Sequence, residues 1–259
     1  MAAAPSHQGP EHHKSTADPE LTATIAANLS AVRSRIARAA QTVRRDPGDV
    51  RLIAVSKTFS FEYVHAAVAA GQNDFGENRV QEAMQKIEKS TERGIRWHLV
   101  GHLQSNKAKK AVTPFAWIHS VDSLVLLRRL ETAADEQRAV PNLMIQVALR
   151  GEPTKHGASP NDVALILEAA KTCHAVRICG LMLIPPLVEN PEQARPHFKF
   201  LRELRDDLLA TGVESHLLQH LSMGMSHDLE IAVEEGATMV RVGTSIFGKR
   251  PPPSQKHNP

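Results

Sequence analysis

Leu21, Ile25, Leu29, Val32, Ile36, Ala39 and Val43 recur at steps of three and four, drawing one apolar stripe that predicts a long amphipathic helix. From Arg51 the period changes. Short β-branched runs alternate with helical patterns: RLIAVSK before a helix from about Ser60, NDFG before one from about Arg79, WHLVG before one from about Leu103. WIHSV, NLMIQVAL and RICGLML follow, with helices beginning near Ser123, Ser159 and Pro191. HLLQHLS and TMVRVG are the seventh and eighth strands, with a helix from about Ser226 between them. Eight strands, each but the last clearly paired with a following helix, predict a parallel sheet buried beneath helices. The count of eight predicts closure: an α/β fold consisting of a single (β/α)8 TIM-type barrel with an extra N-terminal helix. An open, doubly wound sheet is the alternative, because periodicity does not show closure.

Residues 1–18 are rich in Ala, Pro, His and Ser without a hydrophobic period, and predict a disordered tail. Residues 251–259 begin with three prolines and carry no apolar residue after them, predicting a second tail. Residues 19–250 are then one domain, a size that suits the barrel.

A formal charge of +3 without a long basic tract gives no reason to expect nucleic acid, and Lys107, Lys109 and Lys110 suit a solvated helix face. The two cysteines, Cys173 and Cys179, support neither a disulfide framework nor a zinc site and fit a reducing compartment. No signal peptide or bilayer-length apolar run is seen, so a cytoplasmic protein without a membrane partner is expected. No metal is expected either: His98 and His102 straddle a strand end rather than sharing a helical face, and His12 and His13 fall in the tail.

Two charged residues stand at odd positions. Strand parity puts Lys57 on the face of Ile53 and Val55, at the carboxyl end where barrels carry their sites. A partly desolvated lysine there has a lowered pKa and can attack an aldehyde; a lysine beside Thr58 also suits a solvent-facing strand end, and this segment does not choose. Met239, Arg241 and Gly243 share a face of the last strand, and Thr244 and Ser245 follow with hydroxyl and amide donors for a phosphate. The loop after strand seven, Ser222-Met223-Gly224-Met225-Ser226, repeats the combination. Loops after strands seven and eight are the usual phosphate position of such barrels.

AVSKTF, FGENRVQEA, WHLVGHLQSNKAK, GLMLIPP, LSMGMSHDLEIA and VRVGTSIFGKR, in this order from about residue 51 to 250, resemble the signatures of the pyridoxal phosphate homeostasis protein (YggS/PROSC-type) family, whose fold is like the N-terminal barrel of alanine racemase. The resemblance implies pyridoxal 5′-phosphate held as an imine on Lys57, with Ser222, Gly243 and Thr244 at the phosphate and Arg241 facing the pyridine nitrogen. It also places Asn78 near the ring and Met223 in the pocket lining. Glu77 and His98 are either capping and strand-bonded residues or supports of the site. Ala148 stands where the family's asparagine is expected, while Lys155 and Gly157 keep the rest of that segment.

The function implied is that of a monomeric cytoplasmic carrier or buffer of pyridoxal phosphate that limits free cofactor, passes it to apo-enzymes and affects amino-acid metabolism, without being a conventional enzyme. A racemase-like enzyme is the alternative. It needs a base on each face of a substrate carbon, and no second domain is expected to supply one. The chain's one tyrosine, Tyr63, lies early in the helix after strand one.

Overall fold

The protein is described from a computed structural model over residues 18–90, 92–149 and 156–249. The apolar stripe forms helix α1, Pro19–Thr42, and buries Ile25, Leu29, Val32 and Ile36. Asp18, placed in the tail by composition, instead caps this helix: its carboxylate accepts from the Glu20 amide at 2.9 Å. The remainder of the expected N-terminal tail, the C-terminal tail and Lys155 lie outside the described residues.

Eight parallel strands follow: β1 Arg51–Val55, β2 Asp74–Glu77, β3 Arg96–Leu99, β4 Trp117–Val121, β5 Asn142–Gln146, β6 Arg177–Met182, β7 His220–Ser222 and β8 Met239–Val242. Each pairs with the next, and β8 returns to β1 through Arg51↔Met239 to Ala54↔Val242, so the sheet is a closed barrel. The open-sheet alternative is thereby excluded. Closure leaves no strand edge unpaired. The helices are α2 Phe61–Ala69, α3 Val80–Lys89, α4 Ala108–Ala111, α5 Leu124–Gln137, α6 Pro160–Ala170, α7 Arg195–Ala210, α8 Leu229–Glu234 and α9 Thr244–Phe247. Ser123 and Ser159 cap α5 and α6 by accepting from Leu126 and Asp162 amides.

Strand alternation sorts the core into two layers. Phe75, Leu99, Ile118, Leu143, Leu181, Leu221 and Val240 face outward into the layer shared with the helices. Ile53, Trp117, Met144, Met182 and Met239 face inward and pack inside the barrel.

Three details differ from the expected pattern. HLLQHLS yields a strand only at His220–Ser222, since Ser215–Leu218 form a 3-10 turn. The last strand also has a helix after it, the short α9. Finally, β1 ends at Val55 and the chain turns through Ser56–Thr58, so strand parity does not itself aim Lys57.

Candidate functional site at the carboxyl mouth of the barrel

Lys57 is half-buried in the turn immediately beyond β1. That turn is anchored from below. The Ser56 hydroxyl donates to Glu77 Oε1 at 2.6 Å, and the Lys86 ammonium donates both to the Ser56 carbonyl, at 2.7 Å, and to Glu77. Glu77 is fully buried and Lys86 nearly so. Burial pushes the Glu77 carboxyl above its usual range, against the pull of the Lys86 charge and the two hydrogen bonds. Glu77 therefore supports the Lys57 turn and caps no helix. Thr58 holds φ at 69°, a left-handed conformation that a β-branched residue adopts only when its surroundings impose it.

Gly243 follows β8, which lies beside β1. A Cβ there would sit 3.1 Å from the Val55 carbonyl oxygen, so glycine lets this loop close against the strand that leads to Lys57. Thr244 and Ser245 open α9, whose first amides have no acceptor within the helix. The Ser245 amide donates to Ser226 Oγ at 3.4 Å, which joins the loop after β7 to the loop after β8. The two Gly/Ser-rich loops expected to cooperate are thus adjacent, with Ser226 against the first turn of α9. Its signal was visible as the second serine of the Ser-Met-Gly-Met-Ser loop.

Ser222 and Met223 do something else. Arg241, buried at the barrel centre, donates from Nη1 to Ser222 Oγ at 2.6 Å and from Nη2 to the Leu183 carbonyl at 2.9 Å. Ser222 Oγ also lies 2.9 Å from His119 Nδ1; His119 Nε2 lies 3.0 Å from His98 Nδ1; His98 Nε2 lies 2.9 Å from Asp74 Oδ1. Arg96 closes the line with bonds of 2.8 and 2.6 Å to Asp74. His98, expected as a strand residue or a support, thus stands inside the barrel together with His119, which pattern analysis missed.

The direction of this line follows from its ends. A carboxylate only accepts and an arginine only donates. Burial holds the His98 and His119 pKa values below normal, so both rings are neutral, with one donor and one acceptor each. His98 then donates to Asp74, His119 to His98, and the Ser222 hydroxyl to His119, leaving Ser222 to accept from Arg241. The Ser222 hydrogen is consequently committed inward rather than to a phosphate. Met223, one residue on, points the other way by strand alternation and is fully buried in the helix-side core.

This network sets a pH dependence. The unfolded chain binds protons on these histidines from about pH 6.5 downward, whereas the fold keeps them neutral. Their contribution is present above the unfolded pKa and is lost as pH falls through the window between the unfolded and folded pKa values, at no more than about 1.4 kcal/mol per pH unit for each ring. Burial raises the Asp74 pKa, but bonds from Arg96 and His98 outweigh it and hold the carboxyl well below its ordinary range. Its contribution is lost at still lower pH. Urea midpoints should fall steadily from pH 6.5 to 4, less steeply in His119→Gln; a flat profile for the parent protein contradicts the neutral network.

Asn78 is half-buried just beyond β2 and shares a cavity of about 350 Å³ with His102, Gln104 and Lys107. A larger cavity, about 570 Å³, opens at the opposite end of the barrel between Arg33, Arg51, Asp74 and Arg96 and reaches none of the mouth residues. Ala148 pairs with the segment that follows, its amide donating to the Ala158 carbonyl at 2.9 Å. Gly157 adopts φ 147° there. The cysteines Cys173 and Cys179 are free. No helix among the described residues is long and apolar enough to cross a membrane.

The family model described as "Alanine racemase, N-terminal domain" matches residues 27–251. The chain is 44% identical over 227 residues, 88% of its length and 96% of the relative's, to the "Pyridoxal phosphate homeostasis protein" of Pseudomonas aeruginosa. It superposes on PipY of Synechococcus elongatus, a structure with PLP bound, with a TM-score of 0.77 at 42% identity, covering 86% of this chain and all of that one. Alanine racemase of Clostridium difficile shares the fold alone, with a TM-score of 0.65 at 15% identity over 89% of this chain and 58% of that one. The chain therefore belongs to the pyridoxal phosphate homeostasis protein family, built on the alanine racemase N-terminal barrel.

Proposed function

We propose that this protein binds pyridoxal 5′-phosphate at the carboxyl mouth of its barrel and serves as a cytoplasmic carrier or buffer of it, passing it to apo-enzymes, rather than as a conventional enzyme. The observation that carries the reading is Arg241, a buried guanidinium locked by Ser222 and the Leu183 carbonyl at the centre of a mouth that also bears Lys57. Burial lowers its pKa to about 10, with Asp228 opposing, so it remains protonated at neutral pH.

The donor set fits the cofactor. Lys57 offers an amine, the Gly243 cradle with Thr244, Ser245 and Ser226 offers hydroxyls and amides suited to a phosphate, and Arg241 offers donors to a ring nitrogen. Asn78 stands at the rim, on the cavity side. Bound there, pyridoxal phosphate supplies an aldehyde for the Lys57 amine and a ring whose nitrogen can only accept from Arg241, which weakens it as an electron sink. Ser222, His119, His98 and Asp74 hold the Arg241 guanidinium in place. Tyr63, the tyrosine considered as an opposite-face base, packs with Phe59 and Phe247 at ring separations of 4.9 and 6.4 Å.

Titration of the protein with pyridoxal phosphate and with unphosphorylated pyridoxal, followed by absorption, tests the assignment. Ser226→Ala combined with Thr244→Ala should weaken the phosphorylated ligand at least tenfold more than pyridoxal. Ser222→Ala should weaken both alike, because it acts on the ring through Arg241. A Ser222→Ala loss confined to the phosphorylated ligand would instead put that hydroxyl at the phosphate. Turnover on common amino acids should stay well below the order of one per second of ordinary enzymes; a rate at or above it overturns the carrier reading and favours a racemase-like enzyme.

A further inference from the structure

We propose that His102, Asp122 and His156 form a binding site for a divalent transition-metal ion, zinc by ligand type, on the rim of the barrel mouth. The three residues come from the loops after β3, β4 and β5, and are distant in sequence. One ligating atom from each lies within 4.8 Å of the others. His102 Nδ1 and Asp122 Oδ2 are 3.4 Å apart, long for a hydrogen bond. Bonds of 2.0–2.1 Å at a tetrahedral centre put neighbouring ligand atoms about 3.3 Å apart. The separation is therefore that of two ligands of one ion as much as that of a long ion pair.

The imidazoles of His102 and His156 stack with centroids 3.5 Å apart and planes inclined by 6°. Two protonated rings so close would repel. Arg79 and Lys107 are the cations that line the same cavity as His102, and Asp122 supplies negative charge beside it.

Each ligand is positioned by a neighbour. Ser123 Oγ donates to Asp122 Oδ1 at 3.2 Å, leaving Oδ2 toward the cluster. Gln146 Nε2 donates to the His156 carbonyl at 2.8 Å and ties that loop to β5. A Cβ at residue 101 would lie 2.3 Å from the Asn78 carbonyl oxygen, so Gly101 lets the chain pass tightly and fixes where His102 begins. Two imidazoles and one carboxylate select zinc, nickel, cobalt or copper over magnesium or calcium. Three protein ligands leave a position for water or for a donor atom of a small molecule. The proposal does not depend on cofactor binding.

The test uses the full chain without pyridoxal phosphate, with His7, His12 and His13 replaced by alanine in every sample to remove competing imidazoles. Zinc affinity is read by competition with a chromophoric chelator, and Co2+ is followed by its visible absorption. One equivalent should bind, with the intense visible bands of a four-coordinate cobalt centre. His102→Ala and His156→Ala should each weaken binding by about 100-fold, Asp122→Asn by a comparable factor, and Ser123→Ala by about tenfold. Far-UV circular dichroism verifies that each variant is folded, and the near-isosteric Asp122→Asn remains decisive if a histidine variant is not. Unchanged affinity in the His102→Ala/His156→Ala double variant, unchanged affinity in Asp122→Asn, or no saturable binding in the parent overturns the proposal.

Discussion

Replacing Lys57 by alanine is expected to abolish the covalent labelling of this protein by pyridoxal phosphate and borohydride. Lys57 is half-buried two residues past Val55, against whose carbonyl the Gly243 cradle closes, so the turn that carries it adjoins the loop after β8. A partly desolvated amine spends more of its time neutral and nucleophilic than one in water. Lys57→Arg separates charge from chemistry: the cation remains but cannot condense with the aldehyde. Both variants should lose the label completely while still binding the phosphorylated ligand reversibly through Arg241, Thr244 and Ser226. Peptide mapping of the reduced parent protein should find the modification on Lys57 alone; labelling of Lys107 at the neighbouring cavity would sink the assignment.

Glu77→Leu should be the most damaging single change to stability outside the apolar core, costing about 3–5 kcal/mol in urea unfolding. It leaves the buried Lys86 ammonium without its counter-charge and removes the acceptor of the Ser56 hydroxyl. The pair itself is not a source of great stability, since burial already pushes the Glu77 pKa up in the presence of Lys86 and Glu77 Oε2 has no hydrogen-bond partner. The Glu77→Leu/Lys86→Met double variant should therefore recover most of the loss. Its cofactor affinity should stay reduced, because Ser56 and the Lys57 turn would still lack their anchor. Full stability in Glu77→Leu alone would show that Lys86 reaches water when freed.

Much of the fold was legible in one dimension. The period of 3.6 marked α1 from Leu21 to Ile36, short β-branched runs marked the strands, and the helices after β4 and β5 begin beside Ser123 and Ser159, where they were expected. Lys57 and Arg241 stood out because a charged residue on an apolar strand face needs a reason, and the Gly-Thr-Ser and Ser-Met-Gly-Met-Ser loops stood out because phosphates need close backbone. Each of these signals is local, carried by residues a few positions apart.

Periodicity assigns a face to a residue and is silent about its neighbour across the barrel. Closure of β8 onto β1 joins Arg51 to Met239, and no local pattern encodes that pairing. The hydrogen bond between His119 and Ser222 spans 103 residues, and it ties the Ser222 hydroxyl to the line of side chains that ends on Arg241. Met223 was legible only as a residue beside Ser222; the tertiary fold packs its side chain into the core layer shared with the helices. His102 lost its apparent partner His98 to the barrel interior and gained Asp122 and His156 from two later loops. Spacing along the chain determined which residues share a face, while the curvature that bends eight strands into a ring determined which of those faces meet.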